Sequence, residues 1–361
     1  MPSPAPIEAV SQRLASFLDT RAREWSGFGP EATVFVENAA STLSGGKRLR
    51  ARFCVTGWQA VADHGDAPKT PSGDVLAAAA ALEIFHAAAL VHDDIIDNSD
   101  TRRGRPAAHR ALEAEHTASG WAGSAEAFGR SAAILLGDLL VAWSDDLLED
   151  GLRDAPHAAG ARDVYGLMRR EVTVGQFLDI AEEAAFVTAP DAEHAERALR
   201  VASLKSARYS IQHPLLLGGA LAGADAAQSA ALSAFGHPLG LAFQLRDDVL
   251  GVFGDSAVTG KPSGDDLREG KRTVLVAYTR EALGPAERRT FDALIGDPTL
   301  DAAQVAAAQE TIAASGALTR VEGLIDAYAD EADRALRDTP LAAGPVEALR
   351  ALARDATARA S

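Results

Sequence analysis

The chain has 361 residues, 47% of them hydrophobic, enough to bury a large core, and its 51 acidic against 35 basic residues give a formal charge of −16. That balance excludes a broad nucleic-acid surface and disfavours anionic membranes, so any phosphate site has to be built locally. The single cysteine, Cys54, excludes an internal disulfide and a cysteine zinc site, reads as a small buried apolar residue, and points to the cytoplasm.

The opening MPSPAPIEAVSQRL has no basic leader followed by an apolar run, so no signal peptide is expected. Apolar positions recur at three- and four-residue spacing almost throughout, and glycine and proline breakers leave segments of about 15–25 residues. The predicted fold is therefore all-α, a single large helical bundle, with one domain over residues 1–361 where length alone suggests two. Residues 7–25 read as a helix that packs in a dimer or caps the fold. Between two predicted helices lies GGKRLR, residues 45–50, with Lys47, Arg48 and Arg50 at or near the start of the second. Cations gain nothing from the positive end of a helix dipole, but they suit an anion held there.

The next element, residues 75–96, is the most apolar, yet Glu83, His86 and His92 interrupt it and aspartates end it. A buried helix fits it better than a membrane span. Asp93 and Asp97 are four apart, so on a helix they share one face a turn apart, with Asp94 offset by about 100°. Two carboxylates so placed suit Mg²⁺, which takes one or two carboxylates and completes its shell with water and phosphate. Arg102, Arg103 and Arg105 follow a short loop, and guanidinium forks suit phosphate oxygens. His86 precedes Asp93 by two turns and, joined to Lys47 and Arg50, becomes a phosphate donor. The later acidic run at residues 145–150 has no arginines after it and reads as solvated surface.

Residues 240–273 read GLAFQLRDDVLGVFGDSAVTGKPSGDDLREGKRT. Gln244 and Asp247 are three apart on a helix ending near a glycine-rich loop that holds Lys261 and Lys271. A carboxylate beside such lysines suits an anion bridged by metal on one side and by ammonium groups on the other. Lys205, in LKSARY, is a further cation. Residues 280–361 read as amphipathic helices and no more.

These motifs resemble the trans-polyprenyl diphosphate synthases. GGKRLR, DDIID followed after four residues by RRG, GDLL at 137–140, GQFLD at 175–179, KS at 205–206, and FQLRDD with its trailing GKPSGDDLREGKRT occur in the family's order from about residue 40 to residue 275. The resemblance implies an isoprenoid-synthase bundle around a deep central cavity, usually a homodimer. It implies that Asp93 and Asp97 ligate two Mg²⁺ ions and Asp247 a third, with Asp94 and Asp248 in support. Arg102, Lys205, Lys261 and more weakly Lys271 would hold the allylic diphosphate. Lys47, Arg50, His86 and Arg103 would hold isopentenyl diphosphate, and Gln244 would sit near the reacting carbons. One departure stands out: Gly251 replaces the family's usual third aspartate, which puts metal affinity in question and keeps an inactive or partner-dependent subunit in view.

The implied chemistry is ionisation, condensation and elimination, run by electrostatics and positioning rather than by a side-chain nucleophile. Product length is read from the wall before Asp93. Ala88 and Ala89 are small where short-chain enzymes often carry an aromatic, and Phe85 lies about 4.5 Å deeper than Ala88 at about 1.5 Å per residue. A C20 product, geranylgeranyl diphosphate, is expected, with farnesyl or longer chains as alternatives. A class I terpene cyclase, which handles one diphosphate, has no need of GGKRLR, Arg103 and His86.

Overall fold

The computed structural model describes residues 5–62, 70–254 and 263–357. Helices dominate, as the periodicity predicts: α1 Pro6–Trp25, α2 Pro30–Thr42, α3 Leu49–Ala62, α4 Gly73–Ile96, α5 Ala108–Ala118, α6 Ala125–Leu152, α7 Ala158–Ala185, α8 His194–Val201, a π-helix Ala202–Gln212, α9 His213–Leu221, α10 Ala226–Phe253, α11 Asp265–Glu269, α12 Val274–Ala282, α13 Pro285–Asp292, α14 Ala302–Ala314, α15 Ala317–Ala335 and α16 Ala343–Thr357. Among the described residues the only strands are Thr101–Arg102 and Arg105–Pro106, paired antiparallel.

The chain divides into two compact units, Met1–Ala161 with Leu217–Gly223, and Arg162–Leu216 with Ala224–Ser361. In the first, α4 is the core. A helix apolar on all sides is stable only when surrounded, and Val75, residues 77–82, Ile84 and Ala88 are all fully enclosed. It is the one helix among the described residues long and apolar enough to cross a membrane, and 72% of that stretch is buried inside the protein. Trp143 of α6 stands edge-on to Phe17 and Trp25 of α1, at 6.1 and 6.4 Å between ring centroids.

In the second unit, Leu245, Val249 and Val252 of α10 share a core with Leu267, Val274, Phe291, Ile312, Val321 and Ile325. The C-terminal helices thus have a definite task, which is to hold the end of α10. Arg246 makes a two-pronged ion pair with Glu322 of α15, 2.6 Å at each prong, and Gln309 of α14 donates to the Val252 carbonyl at 2.6 Å. Two capping boxes, Asp225 with Gln228 and Asp301 with Gln304, fix where α10 and α14 begin.

Candidate functional site

The last turn of α4 carries the first aspartates. Asp97 closes the helix, its N–H donating to the Asp93 carbonyl at 2.8 Å, and both side chains are half-buried one turn apart. Asp94 turns inward, 2% exposed, and its Oδ1 accepts from Arg102 Nε at 2.9 Å and from Arg102 Nη2. Carboxylates at a helix C-terminus meet the negative end of the dipole, and arginines offset this. Arg102 pairs with Asp94, and Arg130 of α6 donates to Asn98 Oδ1 at 2.8 Å and to the Ile95 carbonyl at 3.2 Å. In the run at residues 145–150, by contrast, Asp146, Glu149 and Asp150 are exposed, Asp145 is half-buried, and Leu147 and Leu148 are buried.

The arginines after the motif sit on a hairpin rather than in a plain loop. Thr101 pairs with Pro106 and Arg102 with Arg105, so Arg103 and Gly104 form a two-residue turn with φ of 53° and 70°. Two positive φ values in succession match the hairpin turn whose twist suits paired strands, at the cost of a left-handed arginine. The turn carries Arg103 onto the basic loop: its Nη1 donates to the Ser44 carbonyl at 3.4 Å, and Arg105 donates to Ser44 Oγ at 3.0 Å.

The basic loop is held from below by Glu83, 6% exposed, which the sequence offered only as an interruption of an apolar helix. Its Oε1 accepts from Ala51 N at 3.1 Å, satisfying an orphan donor in the first turn of α3, and its Oε2 lies 3.7 Å from Arg48 Nη1. Arg48 is itself left-handed, with φ of 51°, and donates to the Leu43 carbonyl at 2.7 Å. Arg50 is buried and Lys47 exposed. Glu83→Ala leaves the Ala51 N–H and a guanidinium without their carboxylate, and a loss of about 2 kcal/mol is expected, read as a lower melting temperature.

His86 lies among these cations. Burial first, then the guanidiniums of Arg50, Arg103, Arg102 and Arg48, hold its pKa well below 6.5. The imidazole is therefore neutral near pH 7. Between that depressed value and 6.5 the unfolded chain binds a proton that the folded chain refuses, so His86's contribution to stability is whole above 6.5 and is lost as pH falls. His86→Gln should flatten the fall in melting temperature between pH 7 and 5. An unchanged slope assigns that fall to other histidines with lowered pKa values, such as His109 and His213.

In the second unit, Lys205 lies within the π-helix, a rare form that sequence periodicity does not reveal. Its Nζ meets Asp179 Oδ2 at 2.5 Å. This explains GQFLD: Asp179 receives the lysine, and a Cβ at Gly175 would lie 2.4 Å from Lys205 N, so only glycine lets α7 approach so closely. GDLL has a similar reason, since a Cβ at Gly137 would lie 2.2 Å from His92 Nε2, which donates to the Ile134 carbonyl at 3.2 Å. On α10, Asp247 is half-buried and Asp248 buried, the latter accepting from Gln244 Nε2 at 2.7 Å. Burial, then Asp266, push the Asp248 carboxyl up to about 8. Lys271 Nζ lies 2.5 Å from Glu269 and 3.5 Å from Asp266. Lys261 falls outside the described residues.

The structure thus gathers Arg50, Arg103 and His86 into one cation cluster, places Asp93 and Asp97 on one face, and turns Arg102 to Asp94 and Lys205 to Asp179. Among the described residues no three His, Cys, Asp or Glu side chains form a metal cage by themselves. The candidate ligands read from the sequence, Asp93 and Asp97 in the first unit and, separately, Asp247 in the second, offer carboxylate oxygens, a donor type that suits Mg²⁺, which draws the rest of its shell from water and phosphate.

A geranylgeranyl pyrophosphate synthase from Corynebacterium glutamicum, crystallised with isoprenyl diphosphate and magnesium, is 41% identical, with a TM-score of 0.91 over 98% of each chain. The geranylgeranyl diphosphate synthase of Methanosarcina mazei is 31% identical, with 82% of each chain covered. The nonaprenyl diphosphate synthase of Mycobacterium tuberculosis is 30% identical over 93% of this chain and 88% of its own. The polyprenyl synthetase model matches residues 33–312. With that match spanning both aspartate motifs and the basic loop, the chain belongs to the polyprenyl synthetase family and is a trans-prenyltransferase, a polyprenyl diphosphate synthase with the all-α isoprenyl synthase fold.

Proposed function

We propose that the enzyme condenses isopentenyl diphosphate with an allylic diphosphate, releases pyrophosphate, and stops at the C20 geranylgeranyl diphosphate, working as one catalytic domain with three Mg²⁺ ions. The observation that carries this reading lies in the first unit, which holds two separate charged groups, each suited to its own diphosphate. One is the carboxylate pair Asp93 and Asp97; the other is the cation cluster around His86, two helical turns back on α4. A terpene cyclase binds one diphosphate and needs one such group. A condensing enzyme needs both.

Each residue then has a task. Asp93, Asp97 and Asp247 hold the ions, supported by Asp94 and Asp248. Mg²⁺, present in the Corynebacterium enzyme, supplies Lewis-acid stabilisation of the departing pyrophosphate. Lys205, Lys261 and Lys271 grip the allylic diphosphate. Arg102 contributes to that grip from its seat on Asp94, where the ion pair fixes the guanidinium. Lys47, Arg50, Arg103 and His86 hold isopentenyl diphosphate, the imidazole sitting among the guanidiniums of Arg48, Arg50, Arg102 and Arg103. Gln244, fixed by Asp248, lies beside the reacting carbons. The apolar wall of α4 keeps water from the allylic cation. Product length rests on small Ala89 above Phe85, Ala88 being fully enclosed in packing.

The exposed apolar side chains of α6, Ile134 and Leu135, and of α7, Leu167, Val174, Phe177 and Ile180, support a homodimer. The single buried thiol at Cys54 supports a cytoplasmic location. Incubation with Mg²⁺, labelled isopentenyl diphosphate and farnesyl diphosphate tests the reading. Geranylgeranyl diphosphate is the expected product; a hydrocarbon from farnesyl diphosphate alone indicates a cyclase, and no product indicates a partner-dependent subunit.

A further inference from the structure

The second aspartate motif ends in a glycine, and the structure contains what stands in that place. An ideal Cβ built on Gly251 would lie 2.0 Å from Asp266 Oδ2, 2.3 Å from its Cγ and 2.8 Å from its Oδ1. The volume where a side chain at position 251 would begin is filled by the carboxylate of another residue. We propose that Asp266 supplies the carboxylate that Gly251 lacks in the second aspartate site, so that the motif is completed across two helices and glycine is required for Asp266 to enter. This rests on the reading of Asp247 as a Mg²⁺ ligand.

Three features make the placement a built one. The short helix α11 is bounded by left-handed glycines, Gly264 with φ of 73° and Gly270 with φ of 84°, which set its length at five residues. Leu267, beside Asp266, is fully enclosed in the core shared with Val249 and Val252 of α10. The start of α11 is tied to the end of α10 as well: Ser263 Oγ donates to the Val252 carbonyl at 3.4 Å, Gln309 bridges Val252 and Ser263, and Arg268 donates to the Ser263 carbonyl at 3.0 Å. The carboxylate therefore reaches Gly251 from a rigid support. Its neighbour agrees with a place in the diphosphate site, since Lys271 Nζ lies 3.5 Å from Asp266 Oδ1.

Asp266 is on this account a positioning residue, accepting hydrogen bonds from the ion's water shell and holding Lys271 toward the phosphates. Partners of that kind are worth about 10–100-fold in metal affinity. The test uses three variants of the full chain. Asp266→Asn removes the charge at constant shape. Gly251→Ala leaves Asp266 in the chain but drives its carboxylate aside, and because the displaced atoms end a short side chain, the fold survives. The pair Gly251→Asp with Asp266→Ala returns a carboxylate to the same volume from the other helix. The readouts are Mg²⁺-dependent binding of inorganic pyrophosphate by calorimetry, the Mg²⁺ concentration for half-maximal elongation, and melting temperature.

Each single variant is expected to raise the Mg²⁺ requirement and weaken pyrophosphate binding by about tenfold or more, with little change in melting temperature, and the pair to recover most of that loss. If both single variants bind pyrophosphate and Mg²⁺ like the parent, or if the pair binds no better than Asp266→Asn, the proposal is overturned. Should the parent make no elongated diphosphate, the functional reading fails by itself, and the pyrophosphate calorimetry still decides the role of Asp266.

Discussion

Asp93→Asn is expected to lower kcat/KM by about 10²–10³-fold, a loss of about 3–4 kcal/mol of transition-state stabilisation, while melting temperature stays within about 1 °C. The argument is local. Asp93 is half-buried at the open end of α4, and asparagine matches its volume but carries no charge to bring a cation against a diphosphate. Asp97→Asn should behave alike. Two substitutions in the same chain serve as controls. Asp94→Asn removes the buried charge opposite Arg102, so it should cost stability as well as rate, because a partly buried guanidinium loses its ion partner. Asp146→Asn, with a side chain 55% exposed, should leave activity within about twofold. Steady-state kinetics with thermal melts separate the cases, and an Asp93→Asn enzyme of undiminished turnover would remove the first motif from the chemistry.

Much of this was legible in the sequence, for physical reasons. Helical periodicity survives in any chain whose helices each bury one side, and the glycine and proline breakers mark their ends, so the all-α class and the element order follow from spacing alone. The aspartates at the end of α4 and the basic loop were legible because charge adjoining ten apolar residues is costly unless something offsets it. What was not legible depends on partners distant in sequence. Glu83 looks like a blemish in an apolar helix until α3 is seen to place the Ala51 N–H above it. Gly251 looks like a lost ligand until Asp266, fifteen residues on, is found in its space. The π-helix around Lys205 leaves no periodic trace, because the slight underwinding of an i→i+5 helix is too small a change to detect among eleven residues. The hairpin turn at Arg103 and Gly104 was the one missed element with a local cue, since glycine after a polar residue between short extended pairs is a hairpin signal. An arginine in the first turn position concealed it.

The largest expected change in product comes from the face of α4 that leads away from Asp93. Exposure along the helix separates two alanines that sequence spacing treats together: Ala89 is half-buried, as are His86, Leu90, Asp93 and Asp97, whereas Ala88 is fully enclosed and Phe85 is 7% exposed. The stripe His86, Ala89 or Leu90, Asp93, Asp97 follows the three- and four-residue spacing of one helix face, so a side chain added at Ala89 enters the space beside the aspartates. Ala89→Phe should therefore shorten the product from C20 to C15, with melting temperature little changed. Ala88→Phe forces a ring into closed packing and should cost about 1–3 kcal/mol, with any change of product following from distortion. Phe85 lies one turn below Ala89, about 6 Å along the axis, which is close to one added isoprene unit, so Phe85→Ala should admit longer chains. Chromatography of the dephosphorylated products from the three variants decides the matter. If Ala89→Phe still yields C20, chain length is set by some other wall, and the small residues before the first aspartate motif have no part in measuring it.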